Sequence, residues 1–317
     1  MRRVTRLSFT ASARRSNPHA TASTAAGPLA FSGNKRSRAA LAACVVGSLA
    51  CLPLAWAQGT ATRRRVPRLP PPKAPHHGSV PGTGRPIRVL AIGESPVAGI
   101  GLSRSDETVA AATARVLARL TGRPIAWRGH GLSGATARDA LRRLLPEVAP
   151  EPADLLIVAF GVNDATAYRS PAGFAGDLAA LVTAVRERVG DAAVVIGAVA
   201  PLVSFPALPW PLRSILGWRS AALQMAAEGL AGRLPRLVVE RFSMPFGPDL
   251  FASDGFHPNL LAHSLWGEEI AALALPLIEA QDAPAAPIWE HRQSATGSHA
   301  PPLSTFTSAL SPARRLP

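Results

Sequence analysis

The feature that most constrains this chain is a run of six apolar residues, Leu155-Leu156-Ile157-Val158-Ala159-Phe160, bracketed by Asp154 and Gly161. Too short for an ordinary helix and lacking any alternation, it reads as a strand buried on both faces. Such a strand needs helices above and below it, which implies a parallel sheet enclosed by crossover helices. Comparable apolar stretches occur at 88–92, 125–127, 193–199 and 237–240, and segments of helical length and pattern at 106–121, 134–145, 171–189, 213–233 and 259–279. The alternation predicts an α/β fold with five parallel strands. In such sheets ligands bind beyond the carboxyl ends of the strands, where Ser95 and Asn163 fall.

Charge divides the chain. The net charge of +14 comes almost entirely from residues 1–88, which carry 15 Lys or Arg and no acid, whereas 89–280 carry 16 Arg against 18 acids. The basic character thus belongs to a leading segment, and the near-neutral remainder suits a small-molecule enzyme rather than a nucleic-acid groove. We read 1–38 as a basic disordered segment, 39–58 as an apolar signal or anchor, 59–86 as a Pro- and Arg-rich linker, 87–280 as the folded domain and 281–317 as a disordered tail.

Residues 39–57 hold no charge, follow Arg36 and Arg38, and end on Ala55-Trp56-Ala57, a small-x-small pattern like that of a secretory cleavage site. Export is the expectation. A run of ~18 apolar residues also suffices for an uncleaved anchor, and arginines on both flanks leave its orientation open. The cations of the following linker suit contact with an anionic membrane surface. Leu41-Ala42-Ala43-Cys44 resembles a lipoprotein box but has no apolar region before it. Cys44 and Cys51 both lie in the apolar stretch, so the folded domain has neither a disulfide nor a thiolate metal site.

Three short motifs follow one another in the order nucleophilic catalysis requires. Gly93-Glu94-Ser95 follows a strand, so a turn there presents the Ser95 hydroxyl and backbone N–H at the sheet edge. Gly161-Val162-Asn163-Asp164 follows the most apolar strand and brings the Asn163 amide to the same crevice, as a donor to an oxyanion. Asp254-Gly255-Phe256-His257 supplies an imidazole base with a carboxylate three residues earlier that can accept from its Nδ1, and Asn259 is placed to cap the next helix. Gly134, in the Gly131-Leu132-Ser133-Gly134 loop, adds a backbone N–H.

With those residues in hand, the chain resembles the SGNH hydrolases, the GDSL-type esterases and lipases, over about 87–279. The resemblance implies a three-layer α/β/α sandwich, flavodoxin-like, with a five-stranded parallel sheet. It implies Ser95 as nucleophile and first oxyanion donor, Gly134 and Asn163 as the other donors, and His257 as base oriented by Asp254. Gly131 competes with Gly134 for its place. The first motif departs from the usual Gly-Asp-Ser in having Glu94, beside the catalytic groups rather than among them. A serine carboxylester hydrolase follows, acting on a small ester or an acylated glycan or lipid, without a cofactor. Two alternatives use the same sequence: an O-acyltransferase, and a non-catalytic envelope protein that binds glycan or lipid.

The segment 202–218 is unusually aromatic for this chain, and Phe205, Trp210 and Trp218 are its candidates for lining an acyl pocket. His130 and His263 read as loop and helix-surface residues, and His76-His77 has no partner ligands nearby in sequence. No Cys or His spacing suggests a metal, and Gly99-Ile100-Gly101 lacks the third glycine of a dinucleotide fingerprint.

Overall fold

Strands stand where the apolar runs lie in a computed structural model that describes residues 35–242 and 247–282. In chain order the elements are α1 (Lys35–Gly47), α2 (Leu52–Arg65), β1 (His77–Val80), β2 (Ile87–Gly93), α3 (Val109–Thr121), β3 (Ile125–Gly131) and α4 (Ala137–Arg143). They continue with β4 (Leu155–Ala159), α5 (Val162–Thr166), α6 (Pro171–Val189), β5 (Ala193–Ile196), α7 (Leu212–Glu228), β6 (Leu237–Val239) and α8 (Leu260–Asp282). One sheet contains all the strands in the order β1-β3-β2-β4-β5-β6. The five from β2 to β6 pair in parallel, and β1 joins β3 antiparallel at the margin.

The sheet therefore has six strands rather than five, and the additional one arises within 59–86, expected to be an extended linker. An edge strand needs only one partner's backbone, so His77-Gly78-Ser79-Val80 pairs from His77 with Arg128 to Val80 with Ile125 without any apolar run to announce it. The helix α2 also runs into that segment, as far as Arg65. The expected helix over 134–145 is shorter, starting at Ala137, where Thr136 accepts from the Asp139 N–H. Residues 1–34 of the basic segment and 283–317 of the tail lie outside the described residues.

Both faces of the sheet are covered, as the unbroken apolar strands require. On one side α4, α6 and α7 pack against Leu90, Ile92, Leu156, Val158 and Val194. On the other, α3 and α8 pack against Val89, Ala91, Leu155, Ile157 and Val195. Residues such as Ile157 and Leu156 are fully buried, each contributing about 1.5–3 kcal/mol from its removal from water. At the amino end of the sheet, Asp154 accepts from the Arg88 N–H at 2.8 Å and from both the Arg88 and Arg85 guanidinium groups, joining β2 to β4.

The apolar stretch 39–58 forms α1 and α2, which meet at 81°, and no single helix among the described residues is long and apolar enough to cross a membrane. Ala55 of α2 is buried against the α7 side of the core. The Gln58 side chain clasps the start of α7, donating to the Trp210 carbonyl at 3.0 Å and accepting from the Leu212 N–H at 3.1 Å.

The β3 strand ends where two backbones touch. A Cβ on Gly131 would stand 2.0 Å from the Ala98 nitrogen, so only glycine lets the loop after β2 lie against this strand. Gly176, by contrast, sits within α6 with nothing near its missing Cβ. Urea unfolding should find Gly131→Ala destabilised by more than ~2 kcal/mol and Gly176→Ala stabilised by about 0.5–1 kcal/mol. Equal effects would contradict the close approach.

Candidate active site

Beyond the last residue of β2 the chain turns at once. The N–H groups of Val97 and Ala98 return to the Glu94 carbonyl, and that of Ile100 to the Ser95 carbonyl at 3.0 Å. This turn puts Ser95, 8% exposed, on the wall of a cavity across the carboxyl ends of β2, β4 and β5. Its backbone N–H, like that of Gly134, is taken by no protein acceptor among the described residues.

The neighbouring Glu94 is buried and faces α5. One carboxyl oxygen accepts the Val162 N–H and the other the Asn163 N–H, both at 2.9 Å. Burial pushes this carboxyl up to about 8, the N–H groups of Asn163 and Val162 oppose the rise, and nearby Asp164 adds to it. The acid thus ties the turn bearing Ser95 to the start of α5. From α5 the ties continue: Asn163 Nδ2 donates to the Ala135 carbonyl at 3.1 Å, and Asp164 accepts the Ala137 N–H at 3.0 Å. The loop carrying Gly134, whose φ is +81°, is held by these bonds. At the other end of α5, Arg219 donates to the carbonyls of Ala165 and Arg169.

His257 lines the same cavity as Ser95. Its Nδ1 lies 2.5 Å from one oxygen of Asp254, whose other oxygen accepts the N–H groups of Phe256 and His257 at 2.9 Å. Burial alone would raise the Asp254 carboxyl, but the ring and backbone donors of His257, with the Phe256 N–H, outweigh it and hold the group below its ordinary value. An ionised Asp254 places the ring proton on Nδ1 and leaves Nε2 to accept a proton. Asn259 then caps α8 by accepting the Ala262 N–H, while its amide donates to the carbonyls of Asp249 and Phe251.

The structure thus gathers Ser95 and His257 on one cavity with Asp254 behind the imidazole, and joins Asn163 to the loop that carries Gly134. No hydrogen bond joins the Ser95 hydroxyl to His257 among the described residues; such contacts are often loose before substrate binds. Gly131, the alternative to Gly134, ends β3 with its α-carbon close against the Ala98 backbone.

Of the three aromatic candidates, only Phe205 reaches the cavity, packed edge-on against Phe251 and Phe256 with centroids 5.0 and 5.2 Å away. Trp210 is 72% exposed at the contact with α2, and Trp218 packs from α7 onto the core, so neither lines it. The other aromatic residues on its wall are Phe160, Phe242, Phe251, Phe256 and Trp266. Phe251 and Phe256 had a signal in their nearness to Asp254, whereas Trp266 reaches the site only through the packing of α8. The two other histidines also differ from expectation: His130 belongs to β3, and His263 is fully buried in α8, where burial drives its imidazole down to about 3. Among the described residues, no group of three or more His, Cys, Asp or Glu is arranged to hold a metal ion.

The raised Glu94 carboxyl has a pH signature. Its folded value of about 8 exceeds the ordinary 4.5, so the protonated acid stabilises the fold and this contribution is lost as pH rises between those values. Glu94→Gln, which cannot ionise, should therefore lose less melting temperature than the wild type between about pH 6 and about pH 8.5. Parallel profiles would show that the carboxyl titrates normally.

The sequence pattern of the GDSL-like Lipase/Acylhydrolase family matches residues 91–265. A GDSL-like esterase of Mycobacterium tuberculosis is 31% identical over 209 residues, covering 62% of this chain and 65% of that protein, so the chain spans just under two thirds of that relative's length. Among solved structures, a family 3 carbohydrate esterase of Clostridium thermocellum is similar in fold, with a TM-score of 0.50 at 14% identity, covering 63% of this chain and 100% of that one. A carbohydrate acetylesterase from Sinorhizobium meliloti aligns with a TM-score of 0.44 at 22% identity, over 60% of this chain and 99% of its own.

Proposed function

Because the chain belongs to the GDSL-like lipase and acylhydrolase family, we propose that it is a serine carboxylester hydrolase working through an acyl-Ser95 intermediate. The observation that carries this reading is the Asp254–His257 pair opening on the cavity that Ser95 lines. His257 Nε2 takes the Ser95 hydroxyl proton as the oxygen attacks the ester carbonyl. The N–H groups of Ser95 and Gly134 and the Asn163 amide receive the negative charge of the tetrahedral intermediate. Its collapse expels the alcohol, which takes the proton from His257, and a water activated by the same imidazole then releases the acid and restores Ser95. Asp254 holds the ring and stabilises the imidazolium formed in each half-reaction.

The substrate belongs to the class of small esters or acylated glycans and lipids, and the cavity's apolar lining supports an acyl group seated beside Ser95. Export or anchoring by the uncharged stretch 39–57 is part of the same proposal, supported by its composition and flanking arginines. Fractionation of cells that produce the chain tests it, and recovery wholly in the cytoplasm would refute it.

Ser95→Ala and His257→Ala should each lower hydrolysis of short p-nitrophenyl esters by more than ~10³-fold with an unchanged far-UV spectrum, and Asn163→Ala by about 10²–10³-fold in kcat. A fluorophosphonate probe should label Ser95, as read by mass spectrometry. Full activity in either of the first two variants would overturn the mechanism, and failure to label would favour a binding protein. Ester products formed from an added alcohol would identify acyl transfer.

A further inference from the structure

We propose that Trp266 forms the end wall of the acyl pocket and sets the longest acyl chain accepted, with Glu240 as the positioning residue that holds its indole there. The inference rests on the esterase reading above and adds a determinant of substrate selection to it.

The path of the cavity follows from the strand order. From Ser95 at the end of β2 it passes Ala159 on β4 and Ala198 just beyond β5, whose small side chains leave space, between Phe205 and Ala262. Trp266 closes it over the ends of β5 and β6. Its ring rests on Gly197, where a Cβ would stand 2.9 Å from Cζ2, and its Nε1 donates to Glu240 at 2.7 Å. The Glu240 oxygen that receives the indole also accepts the Ala198 N–H at 2.9 Å, so one carboxyl atom fixes both a wall and a floor residue.

Glu240 is itself held from several sides. It is 1% exposed, its N–H donates to the Ile196 carbonyl, and its own carbonyl accepts from Gln224 Nε2 at 2.8 Å. Burial pushes its carboxyl upward, and the neighbouring Glu269 carboxyl raises it further. An apolar side chain would join β6 to α8 without the desolvation cost of an acid, so the acid's place behind a cavity wall is explained by what it positions. The cavity is small, ≈ 70 Å³, and Trp266 lies on its wall.

The test compares kcat/KM for p-nitrophenyl acetate, butyrate, hexanoate and octanoate in the full chain and its variants. Trp266→Ala should raise the octanoate-to-acetate ratio at least ~10-fold, the scale on which a hydrophobic pocket discriminates chain length. Trp266→Phe, closer in volume, should raise it less and serves should the alanine variant fail to fold. Glu240→Ala should shift the ratio in the same direction, whereas Glu240→Gln, which keeps an acceptor for the indole, should restore it. A ratio is insensitive to partial loss of active protein, so a purely structural role leaves it unmoved. An unchanged ratio in active Trp266 variants would overturn the inference and leave the esterase reading standing. No hydrolysis of any ester by the wild type, with Ser95 unlabelled, would overturn both.

Discussion

The site depends on the two hydrogen bonds that the first residues of α5 donate to the Glu94 carboxyl. They bind the turn after β2 to the segment after β4, and Asn163 and Asp164 carry the same connection to the loop after β3. Three strand ends distant in sequence thereby share one polar network. Hydrogen bonds of this kind contribute only about 1–3 kcal/mol each, but all are made where water is scarce, so breaking one leaves a buried group unpaired. Arg219 closes the opposite end of α5, putting a cation at the carbonyl end and an acid at the N–H end of the short helix.

Buried ionisable groups are concentrated at the carboxyl edge of the sheet, and their surroundings treat them differently. Glu94, Asp164 and Glu240 are pushed upward by burial. Asp254 alone among these acids has enough donors to be held down, and it is the one that touches an imidazole. Acids of similar intrinsic strength are thus shifted in opposite directions by their surroundings. At the amino edge, Asp154 meets arginines that are partly open to solvent and has only strands to join.

How much was legible in the sequence differed from element to element. Strand β4 announced itself because burial on both faces removes every polar residue from it, and α6 kept its expected bounds between Ser170 and Gly190. The edge strand β1 was hidden, since pairing through the backbone alone leaves almost no mark on side-chain choice. The Asp254–His257 contact was readable because it spans three residues, whereas the cavity wall was not: proximity of Trp266 to Ser95 is decided by how α8 lies on the sheet. The reading of Trp210 and Trp218 as pocket residues relied on composition, which cannot tell an aromatic facing a cavity from one facing solvent or core. Glu94, read as a departure from the usual Asp, became intelligible only when the N–H groups it receives were visible.

The helix α8 begins at Leu260, with Asn259 anchoring its first turn beside His257, and carries Trp266 further along. The proposed base therefore sits just before this helix and the proposed chain-length limit within it, so the indole alone depends on the helix's rotational phase. One residue inserted between Asn259 and Trp266 would swing the indole by about 100° about the axis while leaving the imidazole in place. Spacing within this stretch is accordingly under tighter restraint than the identity of the residues that fill it.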